Sequence, residues 1–306
     1  MPVRDFNSMP LPALYETLAS DGLVRRLIDL AYDEDLGAWG DVTSRACIDA
    51  GRAGSAKVVA RQGGVIAGLA LLPDLKSRFA PSCECVGRIQ DGLPADAGTT
   101  LAELRGPMRE LLALERTLLN LVGRLSGIAT LTAAYVRELP PGSRARLYDT
   151  RKTTPGLRVL EKYAVRCGGG RCHRMGLHDA LLIKDNHLAA VGPGELASFV
   201  RSAAERARRE NDLAFVEVEV DSLAQLDELV VLPRGVVDIV LLDNMTTALL
   251  REAAHRRDAR AAWLELEASG GVRLETVAEI ASTGVDRISA GALTHQAVSL
   301  DVALDL

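Results

Sequence analysis

Residues 215–245, FVEVEVDSLAQLDELVVLPRGVVDIVLLDNM, read as strand, helix, strand. FVEVEV (215–220) alternates apolar residues with glutamates and VDIVLL (237–242) is almost wholly apolar, with a helical pattern at 222–231 between them. A strand that returns parallel to its predecessor through a helix is the βαβ unit, with a right-handed crossover. The rhythm continues on both sides. Further β-like runs lie at 145–149, 181–184, 263–267 and 286–289, and further helical patterns at 157–167, 194–210, 246–259 and 273–282. Six strands in this arrangement predict an α/β fold, either an open sheet or an incomplete barrel, because a full α/β barrel needs eight.

The first third reads differently. Residues 11–36 are predicted helical, with Leu23, Leu27, Leu30 and Ala31 as the apolar stripe and Asp21 as the N-cap. EDLGAWGDVTS (34–44) reads as a turn-rich connection, and 55–72 as strands with a hairpin. Residues 108–136 form a long amphipathic helical stretch, expected to break near Ser126-Gly127 and to end before Pro140-Pro141.

Composition narrows the function classes. The 306 residues carry 36 Lys plus Arg against 41 Asp plus Glu, a net charge of −5, which disfavours a general nucleic-acid binder. Aromatics at 4% leave few stacking platforms for single strands. No apolar run approaches the roughly 18 residues of a membrane span. MPVRDFNSMP at the start lacks the apolar core of an export signal. The five cysteines have no disulfide spacing, so reduced thiols and a cytoplasmic location are expected.

The residues at the strand ends point to chemistry. The runs end in Asp149-Thr150-Arg151-Lys152, Lys184-Asp185-Asn186-His187, Glu219-Val220-Asp221, Asp243-Asn244-Met245, Ser269-Gly270-Gly271 and Ser289-Ala290-Gly291. Ligands of parallel α/β folds bind at the carboxyl ends of strands, so these endings describe one mouth. Arg151, Lys152, Arg174 and Lys184, with Arg116 on the long helix, suit a small polyanion in a net-acidic protein. Glu217, Glu219 and Asp221 share one strand face by their spacing. They read either as holders of Mg²⁺ or as a structural salt-bridge set inside a barrel. Ser269-Gly270-Gly271, expected before a helix, and Ser289-Ala290-Gly291 let a phosphate approach the backbone. Cys167-Gly168-Gly169-Gly170 reads as a helix terminator. Neither zinc spacing nor a dinucleotide or P-loop motif is present in the sequence.

DTRKTTPGLRVLEKYAVRCGGGRCHRMGLHDALLIKDNHL (149–188) resembles the signature of the quinolinate phosphoribosyltransferases, the carboxylating nicotinate-nucleotide pyrophosphorylases. The resemblance extends through EDLGAWGDVTS (34–44), ERTLLNLVGRLSGIAT (115–130), VEVEVDSLAQLDEL (216–229), LLDNM (241–245), SGGV (269–272) and ISAGALTHQAVSLDVALDL (288–306). It implies a pentosyltransferase of NAD biosynthesis. Quinolinate and phosphoribosyl pyrophosphate, with Mg²⁺, would give nicotinate mononucleotide, pyrophosphate and CO₂. It also implies an incomplete α/β barrel over 125–297 and an N-terminal α/β sandwich over 1–124, rejoined by a tail at 298–306. A homodimer or an assembly of dimers is implied, with Arg116 reaching the neighbour's site. By resemblance, Arg116, Arg151, His173, Arg174 and Lys184 belong to the quinolinate pocket, and Thr150 is a further substrate-binding residue. Lys152 lies near the reacting groups. Glu219 and Asp243 serve the ribose and the metal, directly or through water. Ser269, Gly270 and Gly271, with Ser289, Ala290 and Gly291, form phosphate loops. Rival readings are a Schiff-base lyase using Lys152 or Lys184, a relative of the same fold linked to molybdenum transport, and a metabolite-binding regulator without activity.

Overall fold

A computed structural model describes residues 5–192 and 194–306, so the first four residues of the stretch read for an export signal lie outside it. In chain order the elements are α1 (Leu11–Ala19), α2 (Leu23–Leu36), α3 (Val42–Cys47), β1 (Ala53–Ala60), β2 (Gly64–Val65), α4 (Leu72–Phe79), β3 (Glu84–Gly87), β4 (Pro94–Ala95), β5 (Thr100–Pro107) and α5 (Met108–Arg137). They continue as β6 (Arg146–Tyr148), α6 (Arg158–Cys167), β7 (Leu181–Ile183), α7 (Asp185–Leu188), α8 (Leu196–Glu210), β8 (Val216–Val220), α9 (Leu223–Leu229), β9 (Ile239–Asp243) and α10 (Thr247–Arg260). The chain closes with β10 (Glu265–Ser269), α11 (Val277–Ala281), β11 (Arg287–Ser289), α12 (Ala292–His295) and β12 (Val302–Asp305).

The chain forms two compact units. One comprises Ala134–Lys152 and Gly170–Ala292 with the chain up to Ser8; the other comprises Met9–Ala133, Thr153–Gly169 and Leu293–Leu306. Between these two units the chain passes at 133/134, inside α5. Residues 153–169 group with the first part of the chain. So does the tail from Leu293.

The barrel unit holds a six-stranded parallel sheet in the order β6-β11-β10-β9-β8-β7. All six runs read from sequence are its strands. Strands β7 to β11 follow one another, and β6 returns to pair with β11. The cylinder is thus left open between β6 and β7, as an incomplete barrel requires. A single parallel bridge, Tyr148 to Arg171, extends the free side of β6. The two faces differ in chemistry. Val216, Val218, Val220, Val240, Leu242, Leu266 and Ile288 point outward and are almost completely buried. Burying each such side chain contributes about 1.5–3 kcal/mol. The inner face carries Glu217, Glu219, Asp243, Glu267, Ser269, Arg287 and Ser289, because laterally paired residues of a sheet point the same way. The crossover helices α9 and α10 start on side-chain caps, Ser222 accepting from the Gln225 N–H and Thr246 from the Leu249 N–H.

The other unit is built on an antiparallel sheet in the order β12-β1-β5-β3, with β2 and β4 as a separate pair. The strands at 53–65 do not form a hairpin: β1 pairs with β5 and β12, and β2 pairs with β4. The 11–36 stretch is two helices, and the left-handed Gly22, rather than Asp21, occupies the N-cap of α2. Its buried positions are Val24 and Ile28, while Leu23 and Leu30 are exposed. The expected stripe is one residue out of phase because VRRLI offers apolar residues on two adjoining faces. The turn-rich stretch contains α3, capped by Asp41, which accepts from the Ser44 N–H at 2.9 Å.

Helix α5 runs unbroken for 30 residues through Ser126-Gly127. The glycines there serve close approach. A Cβ on Gly127 would lie 2.0 Å from the Val298 carbonyl oxygen, and one on Gly123 would lie 2.8 Å from that of Leu300. Ser126 is also used, its Oγ accepting from the Ala67 N–H at 3.0 Å. Arg124 fixes the same tail, donating to the Thr294 and Ala297 carbonyls and to buried Glu161. Gly127→Ala is therefore expected to lower stability by about 1–3 kcal/mol in urea denaturation, as overpacked sites do. Gly51→Ala, where nothing lies within 4 Å of the added carbon, should be nearly silent in the same measurement.

Candidate active site at the strand ends

The carboxyl ends of the six parallel strands place most of the predicted residues on one unit. At the β6 end, Thr150 Oγ1 accepts from the Lys152 N–H at 3.0 Å, turning the chain so that Arg151 and Lys152 lie on the exposed surface. At the β7 end, Lys184 caps α7 and its ammonium pairs with the carboxylate of Glu219 on the neighbouring strand. Glu219 is mostly buried, whereas Lys184 is about two-fifths exposed, 12% against 42% by side chain. Asp243, Ser269, Ser289 and Tyr148 stand level across β9, β10, β11 and β6. The Ser289 and Ser269 hydroxyls are 3.0 Å apart, and Asp243 accepts from the Asn244 side-chain amide at 2.7 Å.

The first glycine loop differs from expectation. Helix α11 begins only at Val277, so Ser269-Gly270-Gly271 is a loop rather than a helix start. Gly270 has φ +92° and lies against Asn244, whose Oδ1 would be 2.2 Å from an added Cβ. Asn244 itself adopts φ 52°, which asparagine tolerates better than most residues, and its N–H donates to the Ser269 carbonyl at 2.9 Å. Ala290 is buried, its N–H donating to the Tyr148 carbonyl, and Gly291 precedes the single turn of α12.

His173 and Arg174 lie deeper than their neighbours and are buried. The His173 N–H donates to Asp149 Oδ1 at 2.9 Å, and Nε2 faces Glu217 at 3.0 Å and Glu267 at 3.3 Å. Burial disfavours a charged ring, but the carboxylates of Glu267 and Glu217 outweigh it and lift its pKa to about 9. Against this, the Arg174 N–H donates to Nδ1 at 2.8 Å, a bond that only an unprotonated Nδ1 accepts. That bond requires the Nε2–H tautomer, and Nε2 faces the two carboxylates at 3.0 and 3.3 Å without a well-aligned hydrogen bond to either. Arg174 donates to the Ala180 carbonyl at 3.4 Å. Burial, and then the like charge of Arg151, push its guanidinium below the ordinary arginine range. Those two cations therefore act on one another.

Sequence reasoning places Glu217 among the acids but misses its partners Glu267 and Arg287. Arg287 Nε donates to Glu267 at 2.7 Å, and its guanidinium lies 3.8 Å over the Tyr148 ring. Burial would raise the Glu267 carboxyl, yet the Arg287 guanidinium that donates to it holds it below the ordinary glutamate range. Burial and the charge of Glu267 raise that of Glu217. The missed signal is the alternation in WLELEAS, the same inward period as VEVEV. His173, Glu217 and Glu267 could between them ligate a cation, their donor atoms lying within 4.8 Å of one another. Arg287 already supplies positive charge there, so this is the structural salt-bridge set of the two readings. Asp221 is exposed beyond the end of β8 and does not join the inner acids. Arg116 belongs to the other unit. It lies exposed on α5 beside a cavity of about 260 Å³, lined also by Asn120, Ser299 and Asp301. Among the described residues, no helix is long and apolar enough to cross a membrane.

Comparison with known proteins agrees with this arrangement. Residues 41–126 match the model of the quinolinate phosphoribosyl transferase N-terminal domain, and 128–305 that of the C-terminal domain. A nicotinate-nucleotide pyrophosphorylase [carboxylating] of Mycobacterium leprae is 44% identical over 285 residues, covering 92% of this chain and 96% of the relative. A probable enzyme of the same name from Bacillus subtilis is 39% identical, covering 92% and 93%. The solved nicotinate-nucleotide pyrophosphorylase of Francisella tularensis superposes with a TM-score of 0.84 at 32% identity, covering 99% of each chain. The chain belongs to the quinolinate phosphoribosyltransferase family.

Arg287→Met tests the buried charge set. It leaves Glu267 beside Glu217 without the guanidinium, and is expected to cost about 3–5 kcal/mol in chemical denaturation, as breaking a buried pair does.

Proposed function

We propose that this chain transfers the phosphoribosyl group of phosphoribosyl pyrophosphate to the ring nitrogen of quinolinate, with loss of CO₂, giving nicotinate mononucleotide and pyrophosphate in NAD biosynthesis. The observation that carries the reading is the set of cations Arg151, Lys152 and Lys184 at the strand ends, with Arg174 in the connection before β7 acting on Arg151, on a barrel of this family. In this reading Arg151 and Arg174 hold the two adjacent carboxylates of the ring, each guanidinium offering a planar fork. Lys184 adds a point charge and keeps Glu219 oriented. Leaving of pyrophosphate builds positive charge on the anomeric carbon. Glu219 and Asp243, on adjacent strands and the same face, stabilise that charge and orient the ribose hydroxyls. The loop 269–271 receives phosphate oxygens through backbone N–H groups, and the small residues of 289–291 let the phosphate approach beside it.

The nitrogen lone pair forms the new C–N bond as the bond to pyrophosphate breaks. The resulting pyridinium accepts the electron pair of the departing carboxylate's C–C bond, CO₂ leaves, and a proton takes its place on the ring carbon. Holding the two reactants in line can supply up to about 7–11 kcal/mol of the barrier. Glu219 and Asp243 are hard oxygen donors with the chemistry to hold Mg²⁺, directly or through water. When bound, Mg²⁺ helps neutralise the departing pyrophosphate. The exposed Arg116 is assigned to the site of a second copy, which makes a homodimer part of the proposal. A cytoplasmic location is also part of it; all five cysteines are free, which fits.

The test mixes purified protein with quinolinate, phosphoribosyl pyrophosphate and Mg²⁺ and measures nicotinate mononucleotide, with nicotinic acid run in parallel. Turnover of nicotinic acid in place of quinolinate overturns the substrate assignment. Lys152→Ala is expected to cut kcat at least about 100-fold while quinolinate binding weakens only a few-fold; comparable losses in both would contradict a role in the reaction itself.

A further inference from the structure

We propose that Glu217 and Glu267 are positioning residues which, through His173, set the preference of the mouth for a ring with two adjacent carboxylates over a ring with one. The inference rests on the quinolinate reading above and adds to it a determinant of selectivity lying beneath the cations.

The peptides on both sides of His173 are held, and so is its ring. Asp149 accepts the His173 N–H at 2.9 Å, and His173 Nδ1 accepts the Arg174 N–H at 2.8 Å. Nε2 of the same ring is held at 3.0 Å from Glu217 and 3.3 Å from Glu267. Phe215 and Tyr148 meet the imidazole edge-on, with centroids 5.3 and 6.5 Å away, so the ring is confined in rotation as well as in protonation. A carboxylate at Nε2 draws the ring proton there and leaves Nδ1 bare for the Arg174 N–H. Without it the other tautomer becomes available, Nδ1 carries the proton, and two N–H groups oppose each other.

Arg174 is the residue that would move. Its guanidinium is buried and feels the like charge of Arg151. Two neighbouring guanidinium groups repel, and Arg174 is kept in place by its fixed backbone together with the Ala180 carbonyl and the charges of Glu217 and Asp179. A dicarboxylate needs both in register, whereas a monocarboxylate is satisfied by one. Loosening the 173–174 peptide lets Arg174 retreat from Arg151 and so weakens the dicarboxylate selectively. Supporting side chains that lock the groups touching the ligand are a general requirement of precise sites.

The test uses the full chain with Glu217→Gln and Glu267→Gln, titrating each with quinolinate and with nicotinate by calorimetry and measuring the KM for phosphoribosyl pyrophosphate. Glu217→Gln leaves the Arg287–Glu267 pair intact and carries the test alone should Glu267→Gln fail to fold. The expected result is a quinolinate dissociation constant raised about tenfold, equivalent to about 1.4 kcal/mol. Nicotinate affinity and the KM for phosphoribosyl pyrophosphate should stay within about twofold. Unchanged quinolinate affinity overturns the inference. So do equal losses for both acids and the sugar donor, which general loosening would produce. Wild-type protein that binds no quinolinate overturns the functional reading and this inference with it. Wild-type protein that binds it, with variants that do not discriminate, overturns the inference alone.

Discussion

Glu217 and Glu267 are held out of water on the inner face of a parallel sheet, and the site above them rests on the Arg287 guanidinium and the His173 ring that face them. An unpaired carboxylate there would be prohibitively costly. Arg287 meets Glu267 at 2.7 Å while stacking on Tyr148, and His173 is shared between both acids. This inverts the usual chemistry of parallel strands, which are apolar on both faces because helices cover them. Here helices serve only the outer face, through the valines of VEVEV and their neighbours. The inner face mixes charged and hydroxyl side chains with Leu182, Ile239 and Leu241, and its charged rows run up to the strand ends.

Glycine does separate work in the two units, and in neither case is flexibility the reason. On α5, Gly123 and Gly127 exist because the backbone of the returning tail passes where a Cβ would be. In the barrel unit, Gly270 takes φ +92° and leaves room for Asn244, which stands in the left-handed region itself. The loop after β10 is thereby tied to the loop after β9 by an N–H to carbonyl bond. Two consecutive strand ends are built as one piece of backbone, which is what a loop needs if it is to present N–H groups in a fixed direction.

The six parallel strands are legible because each is a short apolar or alternating run bounded by polar turns, and the structure places a strand on each. The order that leaves the cylinder open is not legible, since pairing β6 with β11 is a contact across the whole barrel sequence. The stripe on α2 differs from expectation because VRRLI presents two adjoining apolar faces and only packing chooses between them. The expected break at Ser126-Gly127 fails for a related reason: composition marks glycine as a breaker, but only the position of Val298 explains it. Charged residues at strand ends are readable one by one. Glu267 and Arg287 are not, because they lie two residues before the carboxyl ends of their strands, where a buried charged side chain has meaning only beside its partner.

Depth along the strand separates two kinds of ion pair. Lys184 and Glu219 meet at the rim, with the lysine well exposed, and pairs of that kind contribute only about 0–1 kcal/mol. In the proposed reaction an incoming anion shares Lys184 with Glu219, and the acid stays oriented toward the developing positive charge. Glu217 lies two residues, roughly 7 Å, further down the same strand. There the partners are dry and exchange with a ligand would strand a charge. The same inner face thus provides a layer shared with ligand at its mouth and a fixed one beneath it. The alternation VEVEV places one glutamate in each, so a single strand supplies both the responsive acid and the support on which the adjoining histidine and arginine are held.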